Sequence, residues 1–207
     1  MAPKLSEDDI DDIIYFARAG ELTDLEETLS ALSAREGVSP AEIILAARDE
    51  GKSTCLHMAT GNGNIEIVKS ILAHFTARPS QEKQLLLDAQ NAFGNTALHW
   101  AAERGHLDLV RLLVAEGASP GVANDKNYVP LDSASFGERH GVVDFFLAQM
   151  EGMETRNGAE GGGLGSAAEG VRVDAKGEED GEGEEEEEEF VMRAGDTTED
   201  GKGGGSS

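Results

Sequence analysis

The sequence predicts an all-α solenoid of four stacked helix-turn-helix units over residues 1–150, followed by a disordered acidic tail over 151–207. A six-residue pattern recurs along the first part, as "TCLHMA" from Thr54, "TALHWA" from Thr96 and "VPLDSA" from Val129. Apolar residues follow each copy at helical spacing, and the composition changes abruptly after Met150. Because a unit this short cannot bury its own apolar face, the units must stack.

Each copy predicts a short first helix and a longer amphipathic second helix. Counting from the threonine, or from Asp11 in a degenerate first copy, positions +2 and +5 are apolar: Ile13, Phe16, Leu56, Ala59, Leu98, Ala101, Leu131 and Ala134. Positions +11, +14, +17 and +18 form one helix face, and of these sixteen positions only Thr28 and His140 are not apolar. The predicted repeats cover about 7–35, 49–75, 91–119 and 124–148.

A glycine at position +9 separates the two helices in three of the copies. Gly20, Gly63 and Gly105 occupy this position, which predicts a turn that needs a left-handed backbone. Copy four has Glu138 there, so we expect its turn to differ.

The first two connections are longer than the third and predict additional helices. Copies one to three are 43 and 42 residues apart, against 33 for the last step. In the first insert, Ser39 as N-cap, Pro40 at the first helical position and Glu42 at the third predict a helix. In the second, Ser80 is the predicted cap of a helix that carries Leu85, Leu86 and Leu87.

The segment "GNTALHWAAERGHLDLVRLLVAEGAS" resembles an ankyrin repeat, and the 33-residue step from Thr96 to Val129 is the ankyrin period. The resemblance implies that His57 and His99 are structural histidines whose ring nitrogens bond backbone groups of adjacent loops. It also implies structural roles for Gly63 and Gly105. A catalytic or metal-binding histidine pair is the less favoured interpretation, because the two residues recur with the repeat.

Charge restricts the kinds of partner. The chain has 41 acidic and 17 basic residues, a net charge of −24, of which −11 falls in 1–150 and −13 in the tail. This balance opposes direct nucleic-acid binding and favours a basic partner. A single cysteine, Cys55, excludes an internal disulfide and fits a reducing compartment, and neither a membrane span nor a signal peptide is evident.

The sequence contains no motif that indicates catalysis. No cluster of histidines and cysteines has zinc-like spacing, and "EGKST" from Glu50 to Thr54 lacks the upstream glycine and strand of a phosphate loop. We therefore expect no catalytic residue, no metal and no cofactor.

The resemblance implies a binding surface instead. In ankyrin repeats, positions +4, +7 and +8 and the hairpin tips line a concave surface. The predicted contact residues on it are Tyr15, Met58, Trp100, Glu103, Arg104, Lys126, Tyr128 and Phe136. For Trp100 two interpretations stay open: packing against neighbouring helices, or a partly exposed anchor for a partner's apolar side chain.

An acidic stretch, "SEDDIDD", lies at the first tip and runs into the first helix. Ser6 as a cap, with acids in the first turn, explains part of it. The number of acids exceeds what a cap requires, so we expect Asp8, Asp9 and Asp12 to contribute to binding, mainly by electrostatic steering.

Four repeats, long first and second connections, "ARAGEL" in the first copy, "TALHWA" in the third and an acidic tail form a specific combination. It is similar to fungal ankyrin-repeat proteins that act as dedicated chaperones of one ribosomal protein, although the tail matches only in being acidic. The resemblance implies a basic client, the KH-domain protein of the small-subunit head, third in the small-subunit series.

It further implies that the chain keeps the client soluble and escorts it to nuclear assembly. Contact with nuclear import factors would then pass through the client, the protein would occur in cytoplasm and nucleus, and it would be a monomer or a heterodimer with the client. A general ankyrin adaptor or a histone-type escort is the alternative, since the fold alone does not specify a partner.

Overall fold

The computed structural model describes residues 3–160, and the side chains of residues 3–150. The all-α prediction is confirmed: residues 3–160 contain ten helices and no β-strand. The helices are α1 (Glu7–Ala19), α2 (Leu22–Glu36), α3 (Pro40–Ala46), α4 (Cys55–Asn62), α5 (Ile65–Ala73), α6 (Ser80–Leu87), α7 (Ala97–Arg104), α8 (Leu107–Ala115), α9 (Pro130–Phe136) and α10 (His140–Glu160).

The repeats form two layers. The first helices α1, α4, α7 and α9 pack against one another in that order, and the second helices α2, α5, α8 and α10 each pack against the first helix of their own repeat. Helix α10 continues to Glu160, into the segment expected to be disordered. The remainder of the predicted tail, 161–207, lies outside the described residues.

The core lies between the layers, as the apolar periodicity predicts. In the second helices Leu29, Val68, Val110 and Phe146 are all at most 4% exposed. Position +13 is also buried in three repeats, although the predicted helix face did not include it. The residues at this position are Ile67, Leu109 and Val142. At the ends of the stack the expected burial is incomplete, since Leu22 and Leu147 are 38% and 46% exposed. End repeats have a neighbour on one side only, so their faces are covered on one side only.

All four inter-helix turns have the same left-handed backbone. Gly20, Gly63 and Gly105 have φ angles of 84°, 81° and 79°. The expectation that copy four turns differently is wrong, because Glu138 itself has a φ of 57°. Here a residue with a Cβ atom adopts a conformation that costs about 1–2 kcal/mol for most side chains.

The glycines meet a second requirement, which the sequence pattern did not reveal. The residue that follows position +9 packs onto the glycine of the preceding repeat. A Cβ atom at Gly63 would lie 2.9 Å from Cε1 of His106, and one at Gly105 would lie 2.7 Å from Cδ of Arg139. Glycine at +9 therefore provides both the turn and the room for close packing between repeats.

The inserted helix α3 begins as predicted. The Glu42 amide donates to Ser39 Oγ at 3.4 Å, and the Ser39 amide donates to Glu42 Oε2 at 2.9 Å, which is the predicted capping box. Burial of Ala41, Ile43 and Ile44 holds α3 against the core.

The inserted helix α6 differs in its start from the prediction. Pro79, with φ −54° and ψ 137°, is the N-cap, and Ser80 is the first helical residue, so the expected serine cap is wrong. Proline supplies the backbone angle that a cap position needs but no side-chain acceptor. Leu86 and Leu87 are buried, whereas Leu85 is 64% exposed.

Helix α6 reaches the next repeat through polar contacts. Gln84 Nε2 donates to the Gly117 carbonyl at 3.0 Å, and the Ser119 amide donates to Asp88 Oδ1 at 2.9 Å. The second insert therefore links repeat two to the loop that follows helix α8.

The strained turn of the last repeat gives a testable prediction. Glu138→Gly should raise the free energy of unfolding by about 0.5–1 kcal/mol, because relief of the left-handed strain exceeds the added flexibility of the unfolded chain. Urea denaturation measures the change. Glu138→Ala, which removes the charge but keeps the Cβ atom, is the control and should give no such gain. Equal stabilisation by both variants would assign the effect to the charge.

Candidate partner-binding face

Three loops of the same construction precede the first helices of repeats two to four; we call 49–53, 91–95 and 124–128 the tip loops. In each loop the side chain of the first residue accepts a hydrogen bond from the backbone amide of the last residue. The Ser53 amide donates to Asp49 Oδ1 at 2.7 Å, the Asn95 amide to Asn91 Oδ1 at 3.0 Å, and the Tyr128 amide to Asn124 Oδ1 at 3.0 Å. The fourth residue has a positive φ in every case: Lys52, Gly94 and Asn127. The tip loops thus hold their side chains at equivalent positions.

A histidine in each central repeat joins its helix to the following tip loop. In repeat two, the Thr54 amide donates to His57 Nδ1 at 3.2 Å, so the ring proton is on Nε2, which donates to the Asn95 carbonyl at 2.9 Å. In repeat three, His99 Nε2 donates in the same way to the Tyr128 carbonyl at 3.0 Å. These are the backbone contacts that the ankyrin resemblance implies.

Burial keeps these rings neutral. It lowers the pKa of His57 to about 4 and also lowers the pKa of His99. In repeat four Asp132 takes the histidine's place and accepts the Val129 amide at 2.9 Å. Structural hydrogen bonds therefore occupy both histidines.

Trp100 is half-buried and lies across the preceding repeat. Its ring meets the ring of His57 edge-on, with centroids 6.1 Å apart and planes at 84°. A Cβ atom at Gly61 in helix α4 would lie 2.5 Å from Trp100 Cε3. Trp100 therefore fills the space that a side chain at position 61 would need. These contacts support the first interpretation of Trp100, packing against neighbouring helices. The second interpretation, that its exposed part anchors a partner, stays a prediction.

The inner face is the surface formed by helices α1, α4, α7 and α9 together with the tip loops, and it corresponds to the concave surface that the ankyrin resemblance implies. At its C-terminal end lies a groove of about 510 Å³. We call it the aromatic groove. Six of its lining residues carry large or charged side chains: Phe93, Glu103, Asp125, Lys126, Tyr128 and Phe136. Four of these, Glu103, Lys126, Tyr128 and Phe136, are predicted contact residues.

The aromatic side chains of this groove are open to solvent. Phe93, Tyr128 and Phe136 are 70%, 38% and 68% exposed. The rings of Tyr128 and Phe136 lie 4.8 Å apart between centroids, at 58°. Exposed aromatic residues grouped in this way are typical of protein-binding surfaces.

Sequence reasoning missed Phe93 and Asp125. Phe93 is the third residue of its tip loop, equivalent to Gly51 and to Lys126. Aligning the tip loops as well as the helices would have revealed it.

Two other predicted residues of the inner face lie outside the aromatic groove. Arg104 is exposed at the C-terminal end of helix α7. Met58 is only 9% exposed, so the expectation that it lines the surface is wrong.

The N-terminal end of the inner face is acidic. Asp8, Asp12 and Tyr15 are exposed and lie on one side of helix α1, since they are spaced by four and three residues. Tyr15 is 57% exposed. A second groove, of about 660 Å³, runs beside them and includes Glu7, Asp11, Asp49 and Glu50.

Asp9 differs from its acidic neighbours. Arg35 binds both of its carboxylate oxygens, at 2.7 and 3.0 Å, and the Ser6 amide donates to Oδ2 at 2.8 Å. The Arg35 guanidinium holds the pKa of this carboxyl well below its usual range. The carboxylate therefore closes the start of helix α1 onto helix α2, and contact of Asp9 with a partner stays a prediction.

Residues 3–150 contain no group of three or more histidine, cysteine, aspartate or glutamate side chains placed to hold a metal ion. Within the helices that the structure describes, none is both long and apolar enough to cross a membrane. Cys55 is buried, and burial raises the pKa of its thiol to about 12, so the reactive thiolate is disfavoured.

Paired helices, glycine turns and histidine-linked tip loops define an ankyrin-repeat solenoid with an exposed inner face. The ankyrin-repeat family profile matches residues 52–82 and 93–125. The ankyrin repeat-containing protein P16F5.05c of Schizosaccharomyces pombe is 37% identical over 139 residues, 67% of this chain and 84% of that protein. The chain therefore belongs to the ankyrin-repeat family.

Two further similarities concern budding yeast. The ankyrin repeat-containing protein YAR1 of Saccharomyces cerevisiae is 40% identical over 78 residues, 38% of this chain and only 36% of that protein. A chain in the crystal structure of the yeast ribosomal protein Rps3 in complex with its chaperone Yar1 matches with a TM-score of 0.65 and 34% identity. The match covers 70% of this chain and 95% of that one.

The contact between Gly61 and Trp100 predicts a change of sign. In the wild type, Gly61→Ala should destabilise by about 1–3 kcal/mol, because the new methyl group meets the indole. In a Trp100→Ala background the same change should stabilise by roughly 0.5–1 kcal/mol, since alanine favours helix over glycine. Denaturant unfolding of the four proteins measures both values.

Gly141→Ala is the matched control for this pair, because the nearest atom to a Cβ atom there, Leu107 Cδ2, is 3.8 Å away. It should be tolerated in both backgrounds. The same effect of Gly61→Ala with and without the indole would show that Trp100 does not pack as described.

The buried histidine predicts a pH effect. The pKa of His57 is about 4 in the folded protein against 6.5 for the ordinary side chain, so unfolding takes up a proton between these values. Lowering the pH from 6.5 to about 4 should therefore remove up to roughly 3 kcal/mol of stability through this ring. Nitrogen-15 NMR of the imidazole should report the neutral, Nε2-protonated form down to about pH 4. A cationic His57 ring in the folded protein well above that pH would contradict the assignment.

Proposed function

We propose that this protein is a non-enzymatic chaperone that binds a newly made basic protein of the small ribosomal subunit, the counterpart of Rps3, on its inner face. The binding would keep the client soluble until assembly. The observation that carries the proposal is the match over 95% of a chain, at 34% identity, in the structure of Rps3 with its chaperone Yar1.

The charge distribution supports a basic client. The repeats carry 23 acidic and 12 basic residues. Asp8 and Asp12 are exposed on the first helix, beside the groove lined by Glu7, Asp11, Asp49 and Glu50. Acidic residues in this number attract a basic protein and speed its encounter, while each exposed pair adds only about 0.2–1 kcal/mol.

The aromatic residues supply the remaining affinity. Tyr15 at one end of the inner face and Phe93, Tyr128 and Phe136 at the other are exposed and so remain available for contact. Aromatic anchors typically account for most of the binding energy of a protein interface. Steering by carboxylates and holding by aromatic rings are two separate functions of one face.

Escort to the nucleus belongs to the same proposal. A chaperone that covers a basic client before assembly would accompany it from the cytoplasm to the nucleus, with import factors recruited by the client. The chain would then be a monomer, or a heterodimer with its client. No cofactor, nucleic acid or membrane contact enters the proposal.

Binding of the purified client tests the proposal directly. Full-length protein and its own Rps3 counterpart should form a complex in isothermal titration calorimetry, and the affinity should fall as the salt concentration rises. Tyr15→Ala and Phe136→Ala should each weaken binding about tenfold or more. Leu85→Ala is the control, because Leu85 is similarly exposed, at 64%, but lies on the inserted helix α6.

The alternative functions make different predictions in the same assay. A histone-type escort would bind purified core histones more tightly than the ribosomal protein. A general adaptor would bind neither. Folded wild-type protein that fails to bind its Rps3 counterpart would therefore refute the proposed function.

A further inference from the structure

The aromatic groove combines two kinds of side chain that favour different ligands. Phe93, Tyr128 and Phe136 offer apolar ring faces, and Glu103 and Asp125 offer carboxylates in the same cavity of about 510 Å³. An aliphatic occupant would remove water from both carboxylates without replacing its hydrogen bonds, which is costly. An anionic occupant would meet like charge. The lining therefore favours an occupant that is both cationic and flat enough to lie on a ring.

The carboxylates are available for such an occupant. Within residues 3–150, the salt bridges involve neither Glu103 nor Asp125, and Lys126 forms none either. Other acids of the repeats are already paired, as Asp9 is with Arg35 and Glu82 with Arg78. The two groove carboxylates therefore have no salt-bridge partner among the described residues with which a ligand would have to compete.

The backbone of the groove is already in place. Tyr128 is held twice, by His99 Nε2 at its carbonyl and by Asn124 Oδ1 at its amide, both at 3.0 Å. The Asp125 amide donates to the Phe93 carbonyl at 3.2 Å, which ties one aromatic wall to one carboxylate. A preformed groove lowers the ordering cost of binding.

A guanidinium group fits these features better than an ammonium. It is planar, weakly hydrated and stacks on aromatic faces, and its several N–H donors can reach two carboxylates at once. An ammonium is compact and strongly hydrated, so it gains less from the ring faces.

Lys126 places a positive charge in the aromatic groove and so restricts which ligands can bind there. Its ammonium lines the same groove and would repel a cation, and the three charged side chains of the lining sum to one negative charge. A repulsive group of this kind discriminates between partners at some loss of affinity. Removal of the Lys126 charge should therefore tighten binding.

We propose that the aromatic groove between repeats three and four holds an arginine side chain of the client, stacked on Phe136 and Tyr128 and paired with Glu103 and Asp125. This rests on the proposed function, because the arginine belongs to the client. It adds the chemical identity of the group that the C-terminal end of the inner face recognises.

Charge substitutions of equal size test it. In calorimetry with the purified Rps3 counterpart, Glu103→Gln and Asp125→Asn should each weaken binding about three- to tenfold, whereas Lys126→Ala should tighten it about two- to fivefold. Phe136→Leu, which keeps an apolar side chain but loses the ring, should weaken binding by about three- to tenfold. Circular dichroism checks that each variant is folded.

The matched controls are Glu66→Gln and Lys69→Ala. These two residues form an exposed ion pair on helix α5, outside the groove, so their substitution changes the net charge by the same amount without altering any group of the groove. The groove variants must exceed these controls. The tighter binding caused by Lys126→Ala should also be absent when Lys126→Ala is added to the double variant Glu103→Gln with Asp125→Asn. In that background no carboxylate is left to hold a cation beside position 126.

The outcomes separate this inference from the proposed function. Complex formation with wild-type affinity in all groove variants would overturn the arginine site and leave the chaperone function standing. Tighter binding by Glu103→Gln together with weaker binding by Lys126→Ala would identify an anionic occupant and also overturn it. Loss of binding in Phe136→Leu with unchanged affinity in the charge variants would identify a neutral, apolar occupant.

Discussion

The hydrogen bond from a buried histidine to the next tip loop is the contact on which the solenoid depends. His57 and His99 lie within the first helices, yet their Nε2 atoms donate to carbonyl groups of Asn95 and Tyr128 in the following tip loops. Each of these carbonyls also accepts a backbone amide of its own tip loop, from Asn91 and Asn124, both at 2.9 Å. The histidine therefore adds a second bond to the carbonyl, and this bond ties the loop to the preceding repeat. Direct bonds between tip loops reinforce it, since the Ala92 amide donates to the Gly51 carbonyl at 2.7 Å. The inner face is therefore a surface of firmly held loops.

The same interaction connects architecture to binding. Tyr128 supplies the carbonyl that His99 holds, and its ring forms one wall of the aromatic groove. The position of that wall is thus set by a residue of the preceding repeat. Trp100, next to His99 in sequence, packs instead on Gly61 and His57 of repeat two. Of these two adjacent residues, His99 therefore links repeat three to the repeat that follows, and Trp100 links it to the repeat that precedes.

Much of the fold follows from the sequence because repetition shows each physical requirement several times. The left-handed turns and the helix faces recur, so their pattern was readable from residues such as Gly63 and Val110. Features that occur once were not readable. Glu138 adopts the left-handed turn without glycine because the surrounding repeat imposes it, and Ser80 loses the cap position to Pro79. In the candidate site, Met58 and Trp100 occupy equivalent positions but differ in exposure. The repeat pattern gives both residues the same place in the first helix, so it could not reveal this difference.

Helix α6 has a consequence for the cooperativity of the whole solenoid. In an array of repeats, stability is roughly a sum of terms for each repeat and for each interface between neighbours. By binding Gly117 and Ser119 of the next repeat through Gln84 and Asp88, helix α6 adds to the interface between repeats two and three. Those two repeats should then open and close as one unit, and local unfolding should be concentrated in the outer repeats. The fourth repeat, which carries Tyr128 and Phe136, is one of them. A client seated across the boundary between repeats three and four would supply there, from outside, the kind of connection that helix α6 provides from within the chain.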